Sequence, residues 1–191
     1  MRTSNINRNT KETEIKVSLE IDGEGTYSGE LTPRFLNHMI ETMTKYSRMN
    51  LEIKAKGDDA HHTIEDIGIV IGMAINEALQ ERKGITRFGF FKVPMDESLA
   101  SAAIDISGRG KLVLRADLPE RISDLDGEMI GHFFEALATN AKITLHLSLD
   151  YGENSHHKAE ALFKAFGVAL LMSTRIDQRN SNEILSIKGT L

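Results

Sequence analysis

Hydrophobic and polar residues alternate along several short segments of the chain. Between residues 14 and 21, Ile, Val and Leu side chains occupy every second position and charged or polar side chains the others. This period of two predicts a strand with one buried face. The turn residues at 22–25 predict a second short strand after them. A helix is expected from Thr32, as its cap, and Pro33, as its first residue. Alternation returns at 50–58.

A helical period replaces the alternation at residues 61–84, where apolar residues recur every three or four positions up to Gly84. Thr63 and Asp66 have the spacing of a capping box, which places "HHTIED" (61–66) at the start of this helix. The same reasoning predicts the remaining elements: strands at 85–94, 98–107 and 111–118, a helix at 127–140, a strand at 141–150 and a helix at 155–175.

The predicted order is strand, strand, helix, strand, helix, and then the same series with one additional strand, which indicates an internal duplication. "FLNHMIETM" (35–43) matches "MIGHFFEAL" (129–137), and "HHTIE" (61–65) matches "HHKAE" (156–160). His132 follows His38 by 94 positions, and His156 follows His61 by 95. Six of the seven histidines therefore occupy repeat-related positions, and His146 stands apart.

Composition narrows the classes of function. The chain has 191 residues, a net charge of −5 and no cysteine. The acidic balance and the lack of a basic stripe disfavour a nucleic-acid-binding protein. Without thiolates, any metal must be held by His, Asp, Glu or water, which favours Mn, Zn, Fe or Mg. No apolar run approaches the ~20 residues of a membrane helix, and no secretory signal begins the chain, so a cytoplasmic protein is expected.

Each doublet with its glutamate forms the pattern His-His-x-x-Glu. Successive helical residues turn by about 100°, so the carboxylate lies between two diverging imidazoles. Neighbouring histidines are awkward chelators of one ion but suit two ions. Six histidines and two glutamates fit two metal ions with three His and one carboxylate each. The eight candidate ligands are His38, His61, His62, Glu65, His132, His156, His157 and Glu160.

The two half-sites could close within one chain or between chains. Both doublets begin long helices in equivalent places, on halves related by an approximate two-fold axis. If they are too far apart to meet, the sites form between subunits and the protein is an oligomer.

Several segments together resemble the imidazoleglycerol-phosphate dehydratase family, in its monofunctional form. They are "HHTIED" (61–66), "DES" (96–98), "DISGRG" (105–110), "GHFFEALA" (131–138), "GENSHHKAEALFKAF" (152–166) and "SIKGTL" (186–191). The resemblance runs from Glu12 to Leu191. It implies removal of water from imidazole glycerol phosphate, to give imidazole acetol phosphate, in histidine biosynthesis.

The resemblance also implies an internally duplicated α+β fold, similar to ribosomal protein S5 domain 2. Two similar halves, 1–88 and 89–191, would each carry a mainly antiparallel sheet covered on one face by two helices, within one compact domain. It further implies an assembly of 24 subunits with two Mn²⁺ in each interfacial site. Its metal ligands fall on the eight residues that the repeat selects.

The implied mechanism uses a metal-bound imidazolate, whose electron-rich ring helps to expel the neighbouring hydroxyl. The resemblance assigns removal of the adjacent C–H proton to Glu12, which would also contact the substrate. It assigns the phosphate of this small phosphorylated imidazole to a cationic pocket. The pocket residues would be Arg87, Arg109, Lys164, Ser186 and Lys188.

The chain departs from the family pattern in three places. Asn37 precedes the first histidine where an Asp is usual, and an amide orients a ligand histidine less strongly than a carboxylate. Tyr46 and Ser47 replace a frequent His-Gly pair. The segment before His61 is about three residues short, with Ala60 where an Asp is common. None of these changes removes a candidate ligand or Glu12.

Two other functions remain compatible with the residues alone. A dinuclear metallohydrolase acting on a phosphate ester could use the same ligand set, but it would release inorganic phosphate. In a structural assembly, the metals would only hold subunits together, and replacing Glu12 by Gln would have no measurable effect.

Overall fold

The computed structural model describes residues 1–191, and its elements fall into two series. The first series contains β1 (Thr3–Asn9), β2 (Thr13–Glu20), β3 (Tyr27–Ser28), α1 (Arg34–Ser47), β4 (Asn50–Gly57) and α2 (Ala60–Ala78). The second contains β5 (Phe88–Met95), β6 (Ser98–Asp105), β7 (Lys111–Arg115), β8 (Arg121–Ile122), β9 (Leu125–Asp126), α3 (Glu128–Ala141), β10 (Thr144–Tyr151) and α4 (Ser155–Thr174), followed by a short 3₁₀ helix at Gln178–Asn180. None of the helices is both long and apolar enough to cross a membrane.

The two four-stranded sheets have the same topology. Their strand orders are β1-β2-β4-β3 and β5-β6-β10-β7, and only the last pair of each sheet is parallel. The predicted duplicated α+β fold is thus confirmed. We expected one more strand in the second half than in the first. The first half has the corresponding strand, β1, which the hydrophobic pattern did not predict. Two of the inward positions of β1 carry polar residues: Ser4 donates to the carbonyl of Ala74, and Arg8 pairs with Asp66.

The two halves share one hydrophobic core. The inward residues of the central strands are buried, for example Ile15 and Val17 on β2 and Ala100 and Ala102 on β6. Each long helix lies on its own sheet: α2 packs on β1, β2 and β4, and α4 on β5, β6 and β10. A single buried cluster includes residues from every sheet and every α-helix.

The helices pair across the halves, α2 with α3 and α1 with α4. Glycines allow this close approach. A methyl group at Gly68 would lie 2.6 Å from the carbonyl oxygen of Phe133, and one at Gly72 would lie 2.5 Å from that of Leu137. On α4, a methyl group at Gly167 would lie 2.8 Å from the carbonyl oxygen of Met43. The long helix of each half therefore packs against the short helix of the other half.

The start of α1 differs from the prediction. Pro33 is the N-cap rather than the first helical residue, and no side chain of the segment caps the helix, so the role expected of Thr32 is wrong. The carboxylate of Asp124 instead accepts from the backbone N–H groups of Arg34 at 2.7 Å and Phe35 at 2.9 Å. A residue of the second half thus provides the acceptor for two backbone N–H groups of α1, in the first half, that have no partner within the helix.

The bounds of α2 also differ from the prediction. Asp59 is the N-cap and accepts from the backbone N–H of His61 at 2.6 Å. The capping box at Thr63 and Asp66 is wrong, because Asp66 is buried and bound to Thr13 and Arg8. The helix ends at Ala78, before Gly84, and Gln80 and Arg82 in the segment after it have φ of 52° and 56°.

Candidate metal centre

Three of the candidate ligands meet where the N-terminal parts of α1 and α4 approach each other. His38 comes from the first half of the chain, and His156 and Glu160 from the second. The Nε2 atoms of His38 and His156 lie 3.6 and 3.1 Å from the same carboxylate oxygen of Glu160. One donor atom from each residue lies within 4.8 Å of the other two. We call this group the first cluster.

Glu160 is held in place within the first cluster. Its second carboxylate oxygen accepts from Lys164, one turn along α4, at 2.8 Å. Both side chains are almost buried, with 11% and 12% exposed. Burial opposes ionisation, but the hydrogen bond and charge of Lys164 outweigh it and lower the pKa of Glu160. The carboxylate is therefore ionised at neutral pH and aimed at the two histidines.

The repeat-related residues, His61, His132 and Glu65, form a looser group, which we call the second cluster. The rings of His61 on α2 and His132 on α3 have centroids 4.9 Å apart. Glu65, one turn after His61, has an exposed side chain that makes no hydrogen bond or ion pair. The position that corresponds to Lys164 is Ile69, so no cation on this helix face holds Glu65. The structure thus brings the histidines together here but leaves the carboxylate free.

The second histidine of each doublet points away from its cluster. The rings of His61 and His62 are 6.1 Å apart at 87°, and those of His156 and His157 are 6.2 Å apart at 84°. The predicted divergence of the imidazoles is therefore present in both doublets. Within one chain the eight candidate ligands lie in two clusters with two outlying histidines.

A carboxylate holds each outlying histidine. The Nδ1 atom of His62 lies 3.2 Å from Asp58, and that of His157 lies 2.7 Å from Glu97. Hydrogen bonds to these carboxylates raise the pKa of both histidines. Sequence reasoning missed Asp58 and Glu97 as site residues, although Glu97 lies in the "DES" segment. A comparison of the two hairpins that precede the central strands would have pointed to Glu97.

Glu12 lies beside His62, one of the two outlying histidines. It occupies the turn between β1 and β2, and its carboxylate is 4.0 Å from the Nδ1 atom of His62. More than half of its side chain is exposed, and neither a lysine nor an arginine pairs with it. The proposed base is thus next to a candidate ligand and open to an incoming molecule.

The five predicted phosphate contacts divide into two groups. Arg87 forms a bidentate pair with Asp105 at 2.7 and 3.2 Å and donates to the carbonyl of Leu185 at 2.7 Å, so it holds the C-terminal segment. That segment passes the 107–110 turn, because a methyl group at Gly108 would lie 2.3 Å from the terminal carbonyl carbon of Leu191. Arg87, Arg109, Ser186 and Lys188 therefore share one end of the second sheet.

Lys164 is the exception, because it lies at the other end of β5. It contacts the sulfur of Met95, the last residue of that strand, at 3.0 Å. The eight residues of β5, from Phe88 next to Arg87 to Met95, span roughly 23 Å at 3.3 Å per step. A single small phosphate cannot contact Lys164 and the C-terminal segment of the same chain.

The departures from the family pattern have identifiable places in the structure. The side chain of Asn37 makes no hydrogen bond to His38; its amide oxygen accepts from the hydroxyl of Tyr27 at 2.7 Å and the N–H of Leu31 at 3.0 Å. The ring of Tyr46 lies under the ammonium of Lys164, 5.5 Å from it. In the shortened loop, Asp58 and Asp59 contact the adjacent histidines. His146 lies on the exposed face of the second sheet, paired with Ala103 and Val113 and away from both clusters.

Imidazole and carboxylate donors at this spacing suit a borderline-to-hard divalent ion such as Mn²⁺, Zn²⁺ or Fe²⁺. The first cluster fits such an ion, since its three donor atoms already converge and its carboxylate is ionised. The fold and the site thus define a class: an internally duplicated α+β protein with histidine–carboxylate clusters built across its two halves.

Comparison with known proteins identifies the family within that class. Residues 32–170 match the family model for imidazoleglycerol-phosphate dehydratase. The chain is 47% identical to the enzyme of that name from Chloroherpeton thalassium, covering 100% of this chain and 98% of that protein. It is 45% identical to the one from Methanosarcina mazei, with 100% of both chains covered. The chain therefore belongs to the imidazoleglycerol-phosphate dehydratase family and is an enzyme of the hydro-lyase class.

Solved structures with the same family name have the same fold. The enzyme from Staphylococcus aureus superposes with a TM-score of 0.84 at 38% identity, covering 92% of this chain and 99% of that one. The enzyme from Pyrococcus furiosus, solved in complex with (S)-C348, gives 0.83 at 32% identity, covering 97% and 100%. The resemblance seen in the motifs is confirmed by both kinds of comparison.

Proposed function

We propose that the chain removes water from imidazole glycerol phosphate to form imidazole acetol phosphate, as a step in histidine biosynthesis in the cytoplasm. The observation that carries this proposal is the convergence of His38, His156 and Glu160 from two halves of a chain that belongs to the dehydratase family. We also propose that residues 1–88 and 89–191 are the two repeat units of one compact domain.

The proposed cofactor is Mn²⁺, two ions per site. The first cluster would supply two histidines and one carboxylate to one ion, and His61, His132 and Glu65 would supply the same set to the other. When bound, the ions would act as Lewis acids that ease loss of the N–H proton from the substrate imidazole. The third histidine for each ion would be His62 or His157, which point away from the clusters of their own chain.

This arrangement favours sites shared between subunits. Each cluster lacks a third histidine, while each chain offers two outlying histidines that its own clusters do not use. The phosphate contacts are also incomplete within one chain, since Lys164 and the C-terminal group are roughly 23 Å apart along β5. In a homo-oligomer of 24 subunits, neighbouring chains would complete both the histidine ligands of each ion and the phosphate contacts.

Glu12 is the proposed base for the C–H proton. Its carboxylate is exposed, has no lysine or arginine partner and lies 4.0 Å from His62, so it can reach a substrate held at the metal centre. Arg109, Ser186 and Lys188 are the proposed direct phosphate contacts, with Lys164 contributed by another subunit. Arg87 would act both on the phosphate and on the segment that carries Ser186, through its bond to Leu185.

The test is an assay of the protein purified with Mn²⁺, with detection of the acetol phosphate product. We expect turnover by the unaltered enzyme and losses on the order of 10²- to 10⁴-fold for Glu12→Gln. His61→Ala should abolish turnover by removing a metal ligand. Glu14→Gln is the matched control, because Glu14 is an exposed carboxylate only two residues further along, on β2. Release of inorganic phosphate, or no product from the Mn-loaded enzyme, would contradict the proposal.

A further inference from the structure

Glu12 and Glu97 occupy equivalent positions in the two halves. Each is the last residue of the hairpin turn that leads into a central strand, β2 or β6. The next residue is a hydroxyl residue in both halves, Thr13 or Ser98, and both strands contain eight residues. The spacing here is 85 positions rather than the 94 or 95 of the histidines, so the register of the histidines does not reveal the pair.

The two glutamates have different surroundings. One carboxylate oxygen of Glu97 accepts from Ser98 at 2.9 Å and from the N–H groups of Glu153 and Asn154 at 3.1 and 2.8 Å. The other oxygen lies 2.7 Å from the Nδ1 atom of His157. Four partners therefore surround Glu97, whereas the carboxylate of Glu12 has a single neighbour at 4.0 Å.

The contacts of Glu97 determine which nitrogen of His157 is available. A carboxylate that accepts from Nδ1–H fixes the ring tautomer and its direction, and leaves the lone pair on Nε2 for a metal. Asp96 lies 3.7 Å from Nε2, beyond hydrogen-bond distance, so it does not compete for that lone pair.

We propose that Glu97 is a positioning residue, which holds His157 in the tautomer and orientation that a metal ion requires, while its counterpart Glu12 is left free for proton transfer. The duplication thus gave two equivalent carboxylates, one of which orients a ligand while the other faces the substrate. The proposal rests on the proposed metal centre, but its test measures metal binding directly and needs no substrate.

The experiment is a titration of the metal-free enzyme with Mn²⁺, in which the paramagnetic resonance signal of free Mn²⁺ reports binding. Glu97→Gln keeps the size of the side chain but removes the charged acceptor of Nδ1–H. We expect the affinity of one of the two Mn²⁺ sites to fall by about 10- to 100-fold. Glu153→Gln is the matched control, because it removes an equal charge from the adjacent loop before α4, and no contact joins its side chain to His157; it should bind Mn²⁺ like the unaltered enzyme.

A double-mutant cycle separates positioning from general damage to the loop. In a His157→Ala background, Glu97→Gln should cause no further loss of Mn²⁺ affinity, since its effect passes through the missing ring. A further loss of similar size in that background, or unchanged affinity in the single variant, would overturn the proposal.

Kinetics distinguish the two glutamates. With Mn²⁺ raised to saturation, Glu97→Gln should recover turnover to within a few-fold of the unaltered enzyme, whereas Glu12→Gln should bind Mn²⁺ normally and keep its loss of about 10²- to 10⁴-fold. If the enzyme proved inactive on the proposed substrate while Glu97→Gln still weakened Mn²⁺ binding, the proposed function would fail and the positioning role would stand.

Discussion

The two clusters contain equivalent residues but are organised differently. In the first cluster, His38 and His156 face a carboxylate that is nearly buried and held by Lys164. In the second, His61 and His132 are at least as close, but Glu65 is exposed and unpaired. The difference traces to one position, which is Lys164 on α4 and Ile69 on α2.

This difference separates two contributions to a metal site. The packing of a long helix against the short helix of the other half brings the histidines together in both clusters. The orientation of the carboxylate needs a further charged partner, which only α4 provides. We therefore expect the first cluster to be formed before metal binds, and the second to complete its carboxylate ligand on binding.

The largest effect is expected from removing one histidine of either cluster. His38→Ala and His132→Ala should each lower turnover by on the order of a thousandfold, about 4 kcal/mol, because each ion loses one of its histidines. Each variant should also bind less Mn²⁺ per chain. His146→Ala, on the exposed sheet face, is the control and should stay within twofold. Near-normal turnover of His132→Ala alone would show that the second cluster does not hold a metal.

The next effect concerns the helix contacts that bring the histidines together. Gly72→Ala and Gly167→Ala should each lower the free energy of unfolding of the metal-free protein by about 1–3 kcal/mol, because the added methyl group meets backbone atoms of the facing helix. Urea denaturation measures this. Gly131→Ala on α3 has room, with its nearest neighbour at 3.5 Å, and should not destabilise the protein. Equal stability of all three variants would contradict the role assigned to the close contacts.

A smaller effect is expected from removing the cation of the first cluster. Lys164→Met should release Glu160 and weaken Mn²⁺ binding about tenfold, or 1.4 kcal/mol. The measurement is a Mn²⁺ titration without substrate, which separates this role from a contact with phosphate. Lys158→Met on the same helix is the control, since Lys158 forms no ion pair. Unchanged binding by Lys164→Met would mean that the two clusters do not differ in preorganisation.

The smallest effect is expected at Asn37, which precedes His38 as Gly131 precedes His132. Asn37→Asp should change turnover by no more than about twofold, within the ±0.5 kcal/mol of an ordinary substitution away from a functional contact. The reason is that the side-chain oxygen already serves Tyr27 and Leu31 and does not contact His38. A gain of tenfold or more would show that this departure from the family pattern does weaken the site.

The sequence by itself determined most of the elements, the duplication and the candidate ligands, but not β1 or the helix caps. Alternating residues near Ile15 and helical spacing near Ile67 reflect local geometry, since side chains repeat every two positions in a strand and every 3.6 in a helix. The duplication is visible in the spacing of 94 or 95 positions between the paired histidine motifs. The family followed from those motifs, and the comparisons confirm it.

Only the tertiary structure decided which half-sites meet. Periodicity along one helix does not say which helix packs against it, so the pairing of His38 with His156, and of His61 with His132, had to come from close contacts at Gly167, Gly68 and Gly72. The same holds for Asp124 at the start of α1 and for Glu97 beside His157. These contacts join residues about 60 to 120 positions apart, and packing of the shared core, rather than any local pattern, brings such residues together.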